Sequence, residues 1–414
     1  MKKIMMMALM AIVATTAFAG DSPTLKSILK AKTYAEAEGL LKSGLNQLAS
    51  PAEKAKAYNK LVDLALDKVT KEQAIETGNQ MAQQMGNGKI EQFDTLGYYT
   101  ALVNAFDAAE NCEKYDVMPD AKGKVKPAFH KKNVDRLIGH RAHLVNGAQY
   151  FQDHQNNEQV FALLAKYVDT HDSPLFAEEI AKTGDTSYEP MALNAARFAY
   201  FANNLENVKK YAAIAASSKE EDIANDAIVI KNEAFRKALN TKQDTINFIN
   251  ELKEDLVKYP KSDYVLEQLL TNLTGIGKAD EARQIIDKTL AADPNNFVGW
   301  VYKGNLEYDQ KQLEQSAESL KKALTIRDNV ASIWAFRGRV LIEKAEEVSD
   351  QVTKNNRQIV PGAAKQILPF YEEAKVCLEK AKELDPDQAQ SQWKYLLEEN
   401  CVYNIEALSK IANQ

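Results

Sequence analysis

All five histidines fall between His130 and His171, and His140 and His143 lie one helical turn apart. That spacing sets two imidazoles on one helix face, where with a carboxylate such as Asp153 or Asp169 they could share a zinc ion. A histidine pair without a fixed third ligand does not make a metal site, and capping, surface or packing roles suit these residues better. No metal is expected.

The familiar catalytic signatures are missing from the sequence: there is no GxSxG elbow, no P-loop, no HExxH and no CxxC. Gly275-Ile276-Gly277 has no strand before it and reads as a turn between helices, not a phosphate cradle. Neither a catalytic residue nor a cofactor is therefore expected. The three cysteines, Cys112, Cys377 and Cys401, cannot all pair. Cys377 with Cys401 is the one pair on successive helices, and a buried apolar role suits all three.

The elements that would position any site are helical. Alanine, leucine, lysine, glutamate and glutamine abound, glycine and proline are scarce, and no stretch sustains the period-two alternation of a strand. Helices are expected over 24–48, 52–68, 71–85 and 91–115, with breaks at Pro51, Thr70 and Gly86-Asn87-Gly88. An exposed loop at 116–128 precedes a helix from about Pro127 to Asp153. Hairpins of uneven length then run to 258. Tyr98, Tyr99 and Phe106, like Phe198, Tyr200 and Phe201, fall at helical spacing and read as core.

From Asp263 a beat of 34 residues sets in. It relates Trp300 to Trp334, Gly304 to Gly338, Pro260 to Pro294, and Leu252 to Ile286 and Leu320. A period of this length marks stacked helix–turn–helix units, each unable to bury its apolar face alone. A mid-helix glycine costs about 1 kcal/mol against alanine. Two at one phase imply a partner helix too close for a side chain, with Leu320 filling the space.

Trp300, Gly304, Ser316 and Ala323, and again Trp334 and Gly338, resemble the tetratricopeptide repeat, closely over 260–414 and loosely before it. The resemblance implies an all-α fold, a right-handed α-α superhelix of antiparallel helix pairs, that acts by binding protein. It divides the chain into degenerate hairpins over 20–258, repeats over 259–414 and a closing cap at 388–412. After Gly338 the matching second helix, Ala374-Leu378-Ala381-Asp385-Pro386, arrives 24 residues late, which places an insertion near 345–366. Lengthened repeats of this kind are similar to those of exported tetratricopeptide proteins of Gram-negative bacteria.

With Trp300 and Gly304 facing inward, a neighbouring face of the first helices carries Glu267, Thr271 and Thr274, then Val301, Asn305 and Tyr308, then Ala335, Arg339 and Ile342. Glu267, Thr271, Tyr302, Asn305, Tyr308 and Arg339 are the candidate groove residues. The subclass that grips C-terminal carboxylates clusters Lys, Arg and Asn; here Glu267, Thr271, Tyr302, Ser332 and Phe336 occupy those phases, which argues against that mode.

Lys2 and Lys3, the apolar run Ile4 to Phe18 and the small-x-small Ala17-Phe18-Ala19 form an export signal, with cleavage expected after Ala19. No later run reaches the roughly 18 apolar residues of a membrane span, and no cysteine follows the cut for a lipid anchor. Without Lys2 and Lys3, 50 basic residues face 58 acidic ones. That balance argues against nucleic acid, and against an anionic membrane as the main partner. The expectation is a non-enzymatic scaffold of the bacterial envelope, periplasmic or secreted, that holds another envelope protein or a peptide segment. Capture of a small ligand or glycan, self-association through the solenoid ends, and an unrecognised enzyme are the alternatives.

Overall fold

The computed structural model describes residues 20–86, 88–120, 122–353 and 358–414; the export signal at 1–19 lies outside the described residues. Every regular element among them is helical, and the helices group into two compact units that divide after Lys237.

In the first unit, α1 (Pro23–Lys30) and α2 (Tyr34–Gly44) form a short hairpin beside α3 (Pro51–Met85) and α4 (Thr95–Asp116). Ser22, Thr33, Ser50 and Asp94 cap these four helices, each accepting a backbone N–H of the first turn. Pro23 and Pro51 occupy the first helical position, where a missing N–H costs nothing. The break expected at Thr70 is absent. Val69 and Glu72 are buried on either side of it, and packing along α4 outweighs one β-branched residue of modest helix propensity. The expected helix over 127–153 is in fact α5 (His130–Leu137), a 3₁₀ turn at Ile138–His140, and α6 (Arg141–Asp153). The unit continues through α7 (Asn157–Asp169), α8 (Ala177–Thr183), α9 (Tyr188–Phe201), α10 (Leu205–Ala215) and α11 (Glu221–Lys237). Tyr98 and Phe106 are core residues, whereas Phe201, at the end of α9, is 62% exposed.

The second unit comprises α12 (Lys242–Lys258), α13 (Asp263–Gly275), α14 (Ala279–Ala292), α15 (Phe297–Asp309), α16 (Leu313–Ile326), α17 (Ala331–Thr353) and α18 (Pro361–Leu384). A π-helical turn, Tyr395–Cys401, then leads into α19 (Val402–Ala412). The glycine phase falls where the repeat places it. A Cβ on Gly304 would stand 2.8 Å from Leu320 Cγ, and one on Gly338 would stand 2.7 Å from Leu378 Cγ. Leu320 and Leu378 are both fully buried, each burial being worth roughly 1.5–3 kcal/mol. Ser316, which opens the partner helix, donates its hydroxyl to Gly304 O at 2.8 Å.

The tryptophans act at the joints between repeats. Trp300 Nε1 donates to Pro294 O and Trp334 Nε1 to Asp328 O, at 2.8 and 2.7 Å. Each indole thus ties its helix to a carbonyl of the preceding turn.

One hairpin turn recurs in both units. At Gln155, Asn203, Gly277 and Lys311 the chain enters the left-handed region, with φ between 54° and 79°. Each of these residues donates its N–H to the carbonyl three back, and the next residue donates to the carbonyl five back. This paired bonding satisfies the orphan carbonyls of a helix end and reverses the chain. Its presence after α6 and α9 shows that the irregular first unit uses the same corner as the repeats.

The late second helix is explained by growth of both arms. α17 and α18 have 23 and 24 residues, against 13 and 14 in α15 and α16. Val348, Val352, Ile359 and Leu368 pack on the core along the added length.

Candidate functional site

The first helices of the second unit carry the candidate groove. On α13, Thr271 Oγ1 and the Tyr302 hydroxyl of α15 lie 2.6 Å apart. Burial pushes the Tyr302 phenol above its ordinary value and the Glu267 carboxylate adds to this, while the Thr271 hydrogen bond opposes it. One repeat later the Tyr308 hydroxyl donates to Glu343 of α17, and its ring meets Phe336 edge-on at 5.2 Å. The Glu343 hydrogen bond, burial and the Glu343 charge together push the Tyr308 phenol up to about 12, against the nearby Arg339. Both phenols are protonated at neutral pH, and each is hydrogen-bonded to a side chain of an adjacent repeat.

Glu267, Thr271 and Arg339 are exposed, and Tyr302, Asn305 and Tyr308 are half-buried. The structure brings Thr271 to Tyr302 and sets Arg339 near Tyr308; Val301, expected on this face, is buried. Arg339 has no ion-pair partner among the described residues. It lines a cavity of roughly 370 Å³ with Ser332, Ala335, Phe336, Gln390, Ser391 and Gln392.

The far wall of that cavity comes from outside the repeat pattern. Asp385, just past α18, accepts backbone N–H groups from Ala389, Gln390 and Ser391 and the Ser391 hydroxyl, at 2.7–2.9 Å. Burial alone would raise this carboxyl, but these hydrogen bonds prevail and hold it below the usual range. Trp393 Nε1 closes the same turn on Asp385 O. This bend places Gln390 and Gln392 along the same cavity as Arg339. No periodicity announces these two residues; the nearest sequence signal is Asp385-Pro386 ending a second helix.

Four of the histidines have hydrogen-bond partners of their own, and the buried Nδ1 of His140 has none among the described residues. His140 and His143 rings are 5.4 Å apart, and His143 Nδ1 is 3.3 Å from the Tyr98 hydroxyl. Burial, then the neighbouring His143, lowers the His140 pKa. Asp153 bonds Gln149, and Asp169 bonds Tyr211 and Lys210, so neither carboxylate completes the pair. Among the described residues no group of three potential metal ligands converges, and no helix is long and apolar enough to cross a membrane. All three cysteines are buried free thiols; Cys377 accepts an N–H from buried Arg337 at 2.9 Å.

No family model and no curated protein matches the sequence. Among solved structures the chain is similar to a monomeric IFIT1 mutant bound to m7Gppp-AAAA, at 12% identity and a TM-score of 0.30, covering 94% of this chain and 78% of that one. It is similar to the APC/C hetero-tetramer Cut9-Hcn1 at 16% identity and TM-score 0.25, with coverages of 91% and 74%. Yeast Tom70 gives 13% identity and TM-score 0.30, with coverages of 92% and 89%. Likeness at this level carries no functional argument. The tetratricopeptide-like architecture rests on the chain's own glycine, tryptophan and corner geometry.

Proposed function

We propose that this chain is a non-catalytic binding scaffold that holds a protein or peptide segment along the α13–α15–α17 face of its second unit. The observation that carries this reading is the Arg339 cavity, in which an unpaired guanidinium, two side-chain amides and the Phe336 ring share one concavity. An unpaired arginine beside an aromatic ring is a common anchor for a protein partner. Glycan capture is less favoured, because Tyr302 and Tyr308 are half-buried with their hydroxyls committed to Thr271 and Glu343, which leaves no open aromatic platform. The work place belonging to this reading is the bacterial envelope, after cleavage between Ala19 and Gly20; N-terminal sequencing of the mature chain tests that part.

A photo-crosslinking residue at Asn305, with a control at Lys321 on α16, tests the groove in native envelopes. A discrete adduct from Asn305 alone, lost in Arg339→Glu, supports the proposal. Equal adducts from both positions, or an Asn305 adduct indifferent to Arg339→Glu, would sink it.

A further inference from the structure

The loop between α4 and α5 departs from the acidic character of the chain. Between Lys114 and Lys132 six lysines stand against two carboxylates, Asp116 and Asp120, and both accept backbone N–H groups of the loop, Asp116 buried and Asp120 exposed. Buried Asp116 accepts the N–H groups of Ala128, Phe129 and His130, which closes the base of the loop. Asp120 accepts those of Lys122 and Lys124 and anchors a tight turn through Gly123. Asp120 keeps its charge at the surface, so one exposed carboxylate stands against the exposed lysines of this segment.

Lys122, Lys124, Lys126 and Lys131 are exposed, and none has an ion-pair partner among the described residues. Of the other two, Lys114 bonds Asn111 and Lys132 makes a 3.5 Å contact with Asp63. Beyond exposed Asp120, the next exposed carboxylate along the chain is Asp135 on α5. Three aliphatic side chains accompany the lysines at the surface of this segment. Val117, Met118 and Val125 are 41–54% exposed.

We propose that this loop docks the protein on an anionic phospholipid surface. Lysines flanking short apolar side chains match the headgroup layer, where the ammonium groups meet phosphates and the aliphatic tips enter the acyl boundary. A protein partner fits less well: lysine is depleted at protein interfaces, the loop has no arginine, and its one aromatic, Phe129, is half-buried at the loop's base. The acidic balance of the whole chain does not oppose the contact, because screening confines the attraction to charges within about 10 Å of the surface at 0.1 M salt. The inference is independent of the Arg339 groove.

Sedimentation of the purified chain from Gly20 onward with vesicles tests it, comparing phosphatidylcholine alone with phosphatidylcholine carrying about one-third phosphatidylglycerol. Each lysine near such a surface is worth roughly fivefold in affinity. The triple variant Lys122→Glu, Lys124→Glu, Lys126→Glu should therefore lose a hundredfold or more at low salt, with its melting temperature unchanged. Met118→Ser with Val125→Ser should weaken binding while preserving its salt dependence. Absence of binding to the anionic vesicles, or binding untouched by the triple variant, overturns the proposal. So does a crosslink from position 124 to one discrete envelope protein while the vesicles stay bare.

Discussion

Leu320 occupies the space that a side chain at position 304 would need, and Leu378 stands in the same relation to position 338. Gly304→Val should therefore push α15 from α16 and cost at least the 1–3 kcal/mol typical of overpacking. Thermal unfolding should show a drop of several degrees. Gly304→Ala should fall between the two, since better helix propensity offsets part of the clash. An unchanged melting curve for the valine variant would show that the two helices can part freely.

Lys311 holds a left-handed φ of 60° at a corner where the equivalent residue one repeat earlier is Gly277. A non-glycine residue there bears roughly 1 kcal/mol of strain. Lys311→Gly should raise stability by about 0.5–1 kcal/mol, even after loss of the long 3.7 Å contact with Glu343. A lower denaturation midpoint would mean that the Lys311 contacts with Glu343 and Tyr308 outweigh the relief.

The Asp385 carboxyl has its folded pKa depressed by its hydrogen bonds. Its contribution is accordingly present above the unfolded value, about 3.9, and lost as pH falls through the folded one. Asp385→Asn should lower stability at neutral pH, because an amide NH₂ now faces donors. It should also flatten the decline in stability below about pH 4. The quantity to follow is tryptophan fluorescence against pH, since Trp393 closes the same bend.

Chelation should leave the protein unaffected. The expected outcome is one melting temperature with and without EDTA, because His143 is turned to Tyr98 and Asp153 and Asp169 are occupied elsewhere. A fall with EDTA that zinc reverses would reinstate His140 and His143 as ligands.

The repeat region was legible because its constraints are steric and local. A glycine every 34 residues records a helix–helix approach, and a tryptophan every 34 records a joint. The lengthened repeat was legible only as a delay: the count of 24 extra residues does not reveal that they are shared between α17 and α18. Thr70 misled because propensity is a weak prior, and α4 packing decides whether α3 continues. The 3₁₀ turn at Ile138–His140 was hidden for the opposite reason, an apolar pattern that runs on through it. Within the groove, Thr271, Tyr302, Tyr308 and Arg339 follow from helical phase. Gln390 and Gln392 do not, since their position depends on a single carboxylate folding the chain back after the repeats end.

The matched lengthening of α17 and α18 bears on how such a chain can change over time. Ten residues added to each arm extend the hairpin by about 15 Å at 1.5 Å per residue, and Val348, Val352 and Leu368 on the added length pack against the core. A change in one arm alone would strand a stripe of Val348, Val352 or Leu368 in water. Heritable changes at this place should come as trimmings or growths of the whole hairpin tip, leaving Gly338 and Leu378 in register. Excising both added stretches together with the four further residues of their connection should return a plain 34-residue module.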